Sequence, residues 1–311
     1  AAGARAHDDP PVRNSDWTQK MPAGSALKTA FLVIVSCAFF AGANACAKGV
    51  QILDVGPDLH PLQIAFARFS FGFLTLLPFI LRRGRGVFRT QIPLKHGLRI
   101  VFGVAGVTAS FAAVGMMPLA DAIAIAWTSP IFAMIFAIIF LRERVVPLRW
   151  AGAALGLAGV VIMNQPGVGV LQTGALVALL SAVFVGAEVV TIRLLAQSDD
   201  PLTILAINNL SGAVISGCAA IPVFQMPDLA QLPYLIGVGS VMVCGQLLFI
   251  RAAAIGEASF IAPFYYSTLI YAALFGLLFF GETPGLHLLA GGGLIVLSGL
   301  VIAFARPRPA V

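Results

Sequence analysis

The chain has 311 residues, of which 59% are hydrophobic and only 10% charged, with a mean hydropathy of +0.96 and a formal charge of +6. Soluble domains sit near half apolar and a quarter charged, so a water-soluble globular protein is excluded and residence in a bilayer is implied. The basic surplus reads as topology determinants facing anionic membrane lipid, not as a surface for nucleic acid.

Residues 1–26 are polar and contain prolines, which predicts a disordered cytoplasmic tail. They lack the short apolar core and small-residue cleavage site of a secretory signal, so the first span is expected to act as its own insertion signal. A spanning helix needs about 20 mostly apolar residues, and ten such windows follow in order. They run Leu27 to Lys48, Pro61 to Leu81, Leu98 to Met117, Asp121 to Leu141, Trp150 to Asn164, Thr173 to Ala196, Leu202 to Pro222, Leu232 to Ala254, Ser259 to Phe280 and Leu286 to Ala305. The expected fold class is thus all-α and integral to the membrane, and residues 306–311 form a second cytoplasmic tail. With both termini inside, the inner loops collect Arg82, Arg83, Arg85, Arg89, Lys95, Arg99, Arg142, Arg144, Arg149, Arg193 and Arg251, whereas the outer side holds only Lys48. That bias is the orientation signal.

Laid over itself, the chain repeats. Ile139 to Ile162 ("IFLRERVVPLRWAGAALGLAGVVI") matches Leu278 to Val301 ("LFFGETPGLHLLAGGGLIVLSGLV") at a constant offset, which pairs Glu143 with Glu282, Gly152 with Gly291 and Leu155 with Leu294. Ser36 to Gly49 matches Ser181 to Leu194, and Asp58 to Gly72 matches Ser198 to Gly212. The expected units are five helices at 27–166 and five more at 173–305. An odd number of spans per unit inverts the second copy, the arrangement of secondary transporters that bind cargo near the midplane between repeats.

These motifs carry a resemblance. Helices ending in "FLRE" and "FFGE", each followed by a glycine-rich helix, "WAGAALGLAG" and "LAGGGLIVLSG", and the proline-led helices "TSPIFAMIFAIIFLRE" and "APFYYSTLIYAALFGLLFFGE", resemble the EamA-like ten-helix bacterial carriers of the drug/metabolite transporter superfamily. The resemblance runs from Leu27 to Ala305. It implies a site walled by spans one to four and six to nine, with spans five and ten peripheral, and a location in the bacterial inner membrane. Carriers of that family move amino acids, nucleotide-related metabolites, vitamins, polyamines and drugs.

A charge inside a spanning helix costs about 2.5–3.5 kcal/mol on insertion scales, so Arg68 in the second span and Glu188 in the sixth ask for a reason. Arg68 would bind a carboxylate or phosphate of the substrate, and Glu188 would couple transport by exchanging a proton; a structural ion pair or interhelical network is the competing account of both. Neither charge repeats, since Arg68 aligns with Asn208 and Glu188 with Ala43. Asn44, Asn208, Asn209 and Gln246 are amides in apolar spans, suited to substrate binding or to interhelical bonds of about 0.6 kcal/mol. Trp127, Tyr265, Tyr266 and Tyr271 offer aromatic faces to a planar substrate, or plain packing. Asp121 and Glu257 sit where a carboxylate complements a helix N-terminus. Glu143 and Glu282 stand at span ends in a gating or structural role. Gly152 and Gly156, four apart, suit close helix packing, including that of a homodimer.

Cys37, Cys46, Cys218 and Cys244 all fall within predicted helices, which argues against a disulfide framework. His7, His60, His96 and His287 fall in tails or loops, and H-E-x-x-H, G-x-S-x-G and P-loop patterns are missing, so no metal, cofactor or catalytic residue is expected. The sequence reads as a secondary transporter of a small organic metabolite, amino-acid-like or amphoteric, driven by protons or by exchange. The alternatives are a carrier of a vitamin or nucleoside-like molecule such as riboflavin or S-adenosylmethionine and, in another class, a channel or an intramembrane enzyme.

Overall fold

The computed structural model describes residues 23–52, 56–116, 125–143, 145–164, 173–281 and 286–303, and among them every regular element is helical. In chain order these are α1 (Ala23–Ile52), α2 (Pro61–Arg83), α3 (Pro93–Met116), α4 (Ser129–Leu141), α5 (Pro147–Asn164), α6 (Thr173–Ala196), α7 (Pro201–Ala220), α8 (Leu232–Ile255), α9 (Ala258–Ile261), α10 (Ser267–Phe280) and α11 (Leu286–Ala303). A 3₁₀ stretch, Ala262–Tyr266, joins α9 to α10. Among the described residues, six helical stretches are long and apolar enough to cross a bilayer: Ser25–Val50, Leu62–Phe88, Thr173–Ala196, Pro201–Val223, Leu232–Ile255 and Ala258–Phe280. At 1.5 Å per residue a 24-residue helix such as α6 reaches roughly 36 Å, more than the hydrocarbon thickness of about 30 Å. Ser129–Leu141, Pro147–Ile162 and Ala290–Ile302 are shorter apolar helices.

Local chemistry sets the helix ends twice over. His60 and Asp200 each precede a proline, and each accepts a hydrogen bond from the amide two residues on, Leu62 N and Leu202 N. Proline at the first helical position loses nothing, because that amide has no partner within the helix. At the other motif α4 and α10 end on residues in the left-handed region, Arg142 at φ 52° and Gly281 at φ 67°, with cap amides donating to Ala137 O and Gly276 O. Both pairs lie at corresponding places in the internal repeat, so the duplication is one of backbone geometry as well as of letters.

Packing follows the same exchange. α1 packs on α8 and α3 on α6; α2 packs on α7, and α5 on α11. Exchanging each span with its counterpart in the other half leaves these pairings unchanged. The α5/α11 seam shows it in detail: Gly152 lies against Ser298 and Ile302, while Gly159 lies against Gly291 O, Leu294 and Ile295. The two helices therefore run antiparallel, and Ser298 donates to Gly152 O at 2.6 Å. Small residues let backbones approach where lipid supplies no hydrophobic drive. The glycine seam that sequence reading also assigned to a homodimer is filled within the chain.

Two arginines differ from the sequence reading. Arg99, at the edge of its expected span, and Arg149, just before its own, count with the inner loops by sequence, but α3 and α5 begin at Pro93 and Pro147 and both side chains are 1% exposed. The ninth span is broken, not continuous: Pro263 lies in the 3₁₀ stretch, where it interrupts the α-helical bonding pattern. All four cysteines are free.

Candidate functional site

A cavity of about 280 Å³ opens between the two halves, near the lower end of small-molecule pockets, roughly 300–1,000 Å³. Its wall comes from α1, α2, α3, the turn before α4, α6, α7, α8, the 3₁₀ stretch and α10, whereas α5 and α11 contribute no lining residue among those described. That division follows what the family resemblance implied for spans five and ten.

Six of the seven residues expected to bind substrate line this one space: Asn44, Arg68, Trp127, Asn208, Gln246 and Tyr265. Glu188 joins them from α6. Tyr266 does not, because it is fully buried and packs with Val160 and Ile295 between α5, α11 and its own stretch. Asn209 also stays out of the wall, donating to Leu205 O at 2.8 Å within α7. Glu282 and Asp121 lie outside the described residues.

The floor of the cavity is aromatic. Tyr265 meets Trp127 at 5.5 Å between ring centroids, Phe40 at 5.8 Å and Phe249 at 6.0 Å. Such rings present flat apolar faces that suit a planar or apolar-bodied molecule. The same wall carries charges of both signs. Arg99 Nε stands 3.9 Å from Glu188 Oε1, and Arg68 is within electrostatic reach of the same carboxylate. Arg68 stacks over the Phe69 ring at 4.8 Å. Gly103 makes room for the Glu188 side chain: a Cβ there would come within 3.3 Å of Oε1.

Sequence reading missed Arg99 as a site residue. Its neighbours Arg89 and Lys95 gave it the look of a loop cation, and the available signal was subtler: Gly103, one turn on, leaves the same face of α3 open to a partner.

Away from the cavity, a second polar cluster ties the span ends together. The Glu143 carboxylate accepts from Ala258 N and Ser259 N, both at 3.0 Å, and from Ser259 Oγ at 2.7 Å. It caps the N-terminus of α9 from the turn that follows α4, where an anion meets the positive end of the dipole. Glu257, expected to cap that helix itself, makes no cap bond and instead pairs with Arg149, which also donates to Ser259 Oγ at 2.8 Å. Arg193 donates to Ala253 O at the end of α8. At the same end Asp199 receives Thr90 Oγ1 at 2.6 Å and sits 2.7 Å from His96 Nε2, and Arg83 pairs with Asp200.

An all-helical multi-pass chain with a polar, aromatic-lined cavity between two like halves has the anatomy of a small-molecule membrane transporter. The chain belongs to the EamA-like transporter family, whose profile matches residues 27–165 and again 172–304. Among relatives, a riboflavin transporter from Rhizobium johnstonii is 35% identical over 76% of this chain and 79% of its own length. A pseudopaline exporter from Pseudomonas aeruginosa is 31% identical over 91% and 98% of the two chains, and an S-adenosylmethionine uptake transporter from Rickettsia bellii is 27% identical over 85% and 91%. A crystal structure described only as that of a protein superposes at TM-score 0.71 and 22% identity, covering 89% of this chain and 96% of that one. At that identity the likeness speaks for the fold alone. The family and its bacterial relatives place the chain in the inner membrane.

Proposed function

We propose that this chain is a secondary transporter of a small amphoteric organic metabolite, amino-acid-like in carrying both a charged head and an apolar body. It spans the membrane ten times as two inverted five-helix halves with both termini cytoplasmic, and it works by alternating access. The observation that carries the reading is the cavity itself, whose wall combines two guanidiniums and one carboxylate with a cluster of aromatic rings. Arg68 receives the anionic group of the cargo, Asn44, Asn208 and Gln246 orient its polar edge, and Trp127 and Tyr265 cover its apolar part. Glu188 takes up and releases the proton that couples movement to the gradient. The arrangement described is tied at the cytoplasmic end by the Glu143 and Arg149 contacts, which must release for the cavity to face inward.

A second reading follows from the ring cluster around Tyr265. Trp127, Phe40 and Phe249 present faces that suit a planar heteroaromatic cargo, and relatives named for riboflavin and S-adenosylmethionine support that direction.

The test is a metabolite profile, inside and outside cells producing this protein, against cells producing Glu188→Gln at matched membrane levels. A compound depleted inside and enriched outside only with the intact protein identifies cargo and export; the reverse identifies uptake. Identical profiles for every compound defeat the carrier reading.

A further inference from the structure

The charges around Glu188 do not balance. Arg68 and Arg99 bring two cations to one carboxylate, and the Arg99 contact, at 3.9 Å, is too long for a hydrogen bond. Much of the guanidinium capacity is unspent: Arg99 Nη1 donates to Ile204 O at 3.4 Å, but Arg99 Nε, Arg99 Nη2 and Arg68 Nε have no hydrogen-bond partner. Buried donors without acceptors are costly and call for an occupant. Arg99 is 1% exposed and lines the cavity wall.

No other ionised group competes. Around the cavity, Arg99 comes from α3, Arg68 from α2 and the Tyr265 phenol from the 3₁₀ stretch, while α7 and α8 contribute the neutral Asn208 and Gln246 and the turn before α4 contributes Trp127; the carboxylates that the ends of α4 and α9 bring toward α6, Glu143 and Glu257, face Arg193. Glu188 is thus the one carboxylate lining the cavity among the described residues.

Resting on the transporter reading above, we propose that Arg68 and Arg99 form a single anion site, that the ionised Glu188 occupies it as an internal counter-ion when the cavity is empty, and that an anionic group of the cargo replaces Glu188 as the carboxylate takes up a proton. A carboxylate or sulfonate-like head forms two parallel bonds to a guanidinium fork, which the more distant Glu188 does not. Two anions cannot share the pair without mutual repulsion, so arrival of the cargo anion and protonation of Glu188 favour each other, and by linkage each strengthens the other equally. The charge bookkeeping closes. Before loading, two guanidiniums and one carboxylate give a net +1; afterwards, two guanidiniums, a neutral acid and one bound anion give the same +1. Cargo anion and proton therefore travel together in one direction, and a monoanionic cargo moves without net charge. Arg99 becomes a specificity-determining residue equal in weight to Arg68.

Phenylmethanesulfonate, a permanent anion with an aromatic body, and benzyltrimethylammonium, a permanent cation of similar size, test this without titrating themselves. Binding of each to the full chain in nanodiscs is measured by calorimetry at about pH 6 and about pH 8, in two buffers of different ionisation enthalpy, so that proton uptake is read directly. The expected result is sulfonate binding with uptake of one proton, at least about tenfold tighter at the lower pH, and weaker or no binding of the cation. Glu188→Gln keeps the shape but cannot titrate, and should bind sulfonate with the tight value at both pH values and no proton uptake. Arg99→Ala should lose at least about tenfold in affinity, and Arg99→Lys, which keeps the charge but not the fork, should fall between and covers the case in which the alanine variant does not fold. Sulfonate binding that is independent of pH, binding that is unchanged in Arg99→Lys, preference for the cation, or failure of the intact protein to bind the anion each overturns the proposal. Counterflow in proteoliposomes with the cargo found by metabolite profiling keeps the two readings apart: no movement of cargo defeats the transporter, whereas movement with pH-independent sulfonate binding defeats only the counter-ion.

Discussion

Replacing Glu143 by alanine should open the cavity toward the end of the bundle where α9 begins. The carboxylate holds two backbone amides and one hydroxyl at the start of α9. A lost N-cap costs about 0.5–2 kcal/mol, and a bond to a charged group contributes about 1.5–3 kcal/mol. The three bonds share one carboxylate and are not additive, so the tied arrangement should lose about 2–4 kcal/mol, or roughly 30- to 1,000-fold in its equilibrium with the released one. Ile100 lines the cavity from α3, one residue beyond Arg99, and reports access from that end. In a background where Cys46, Cys218 and Cys244 are replaced, and Cys37 is left because it is fully buried, Ile100→Cys is labelled in inside-out vesicles with a membrane-impermeant maleimide. Glu143→Ala should accelerate labelling strongly, and Glu143→Gln, which keeps one acceptor, by less. Unchanged labelling in Glu143→Ala, with the protein folded and inserted, would refute the idea that this cap ties the end shut.

Other consequences are more local. Arg142 is exposed and adopts φ 52° where its counterpart is Gly281; Arg142→Gly should relieve about 1–2 kcal/mol of left-handed strain, less about 0.4–1 kcal/mol for the freer unfolded chain, and a slightly raised melting temperature would show it. A Cβ at position 159 would come within 2.6 Å of Gly291 O, a backbone atom that cannot swing away. Gly159→Ala should therefore cost about 1–3 kcal/mol and lower the melting temperature while leaving cargo affinity per folded molecule unchanged, as the α5/α11 seam lies off the cavity. The buried Tyr266 hydroxyl has no partner, so Tyr266→Phe should be neutral or stabilising by up to about 1 kcal/mol in thermal melts. Trp127→Ala, by contrast, removes a cavity face worth about 0.5–1.5 kcal/mol and should weaken cargo binding about two- to tenfold without lowering the melting temperature comparably.

Much of the arrangement could be read from the letters because membranes make charge conspicuous. Arg68 and Glu188 stand alone in apolar spans, and both line the cavity. Arg99 and Arg149 escaped because each sits beside loop arginines, where hydropathy cannot separate a side chain pointing to lipid head groups from one turned inward. The Tyr pair splits for a reason the letters do not carry: both lie in the 3₁₀ stretch, where Tyr265 lines the cavity and Tyr266 packs against Val160 and Ile295, and only the neighbouring helices decide which ring faces which. The capping of α9 by Glu143 joins residues 115 positions apart and leaves no local trace, since the sequence of either helix is compatible with an ordinary cap of its own.

The pairing of the halves bears on how such a protein is made. Among the described residues no two of α1 to α5 pack extensively on each other; α1 rests on α8 and α10, α3 on α6, and α5 on α11. Helices leaving the ribosome first find their partners only when the second half has been synthesised. At about 5–20 residues per second, the 180 residues from the end of α1 to the start of α8, 232 minus 52, take about 10–35 seconds to appear. Within it, Arg68 and Arg99 have no carboxylate opposite them until α6 brings Glu188. With the extensive helix contacts running between the halves, a gene split near residue 168 should yield stable protein only when both fragments are made in the same cell.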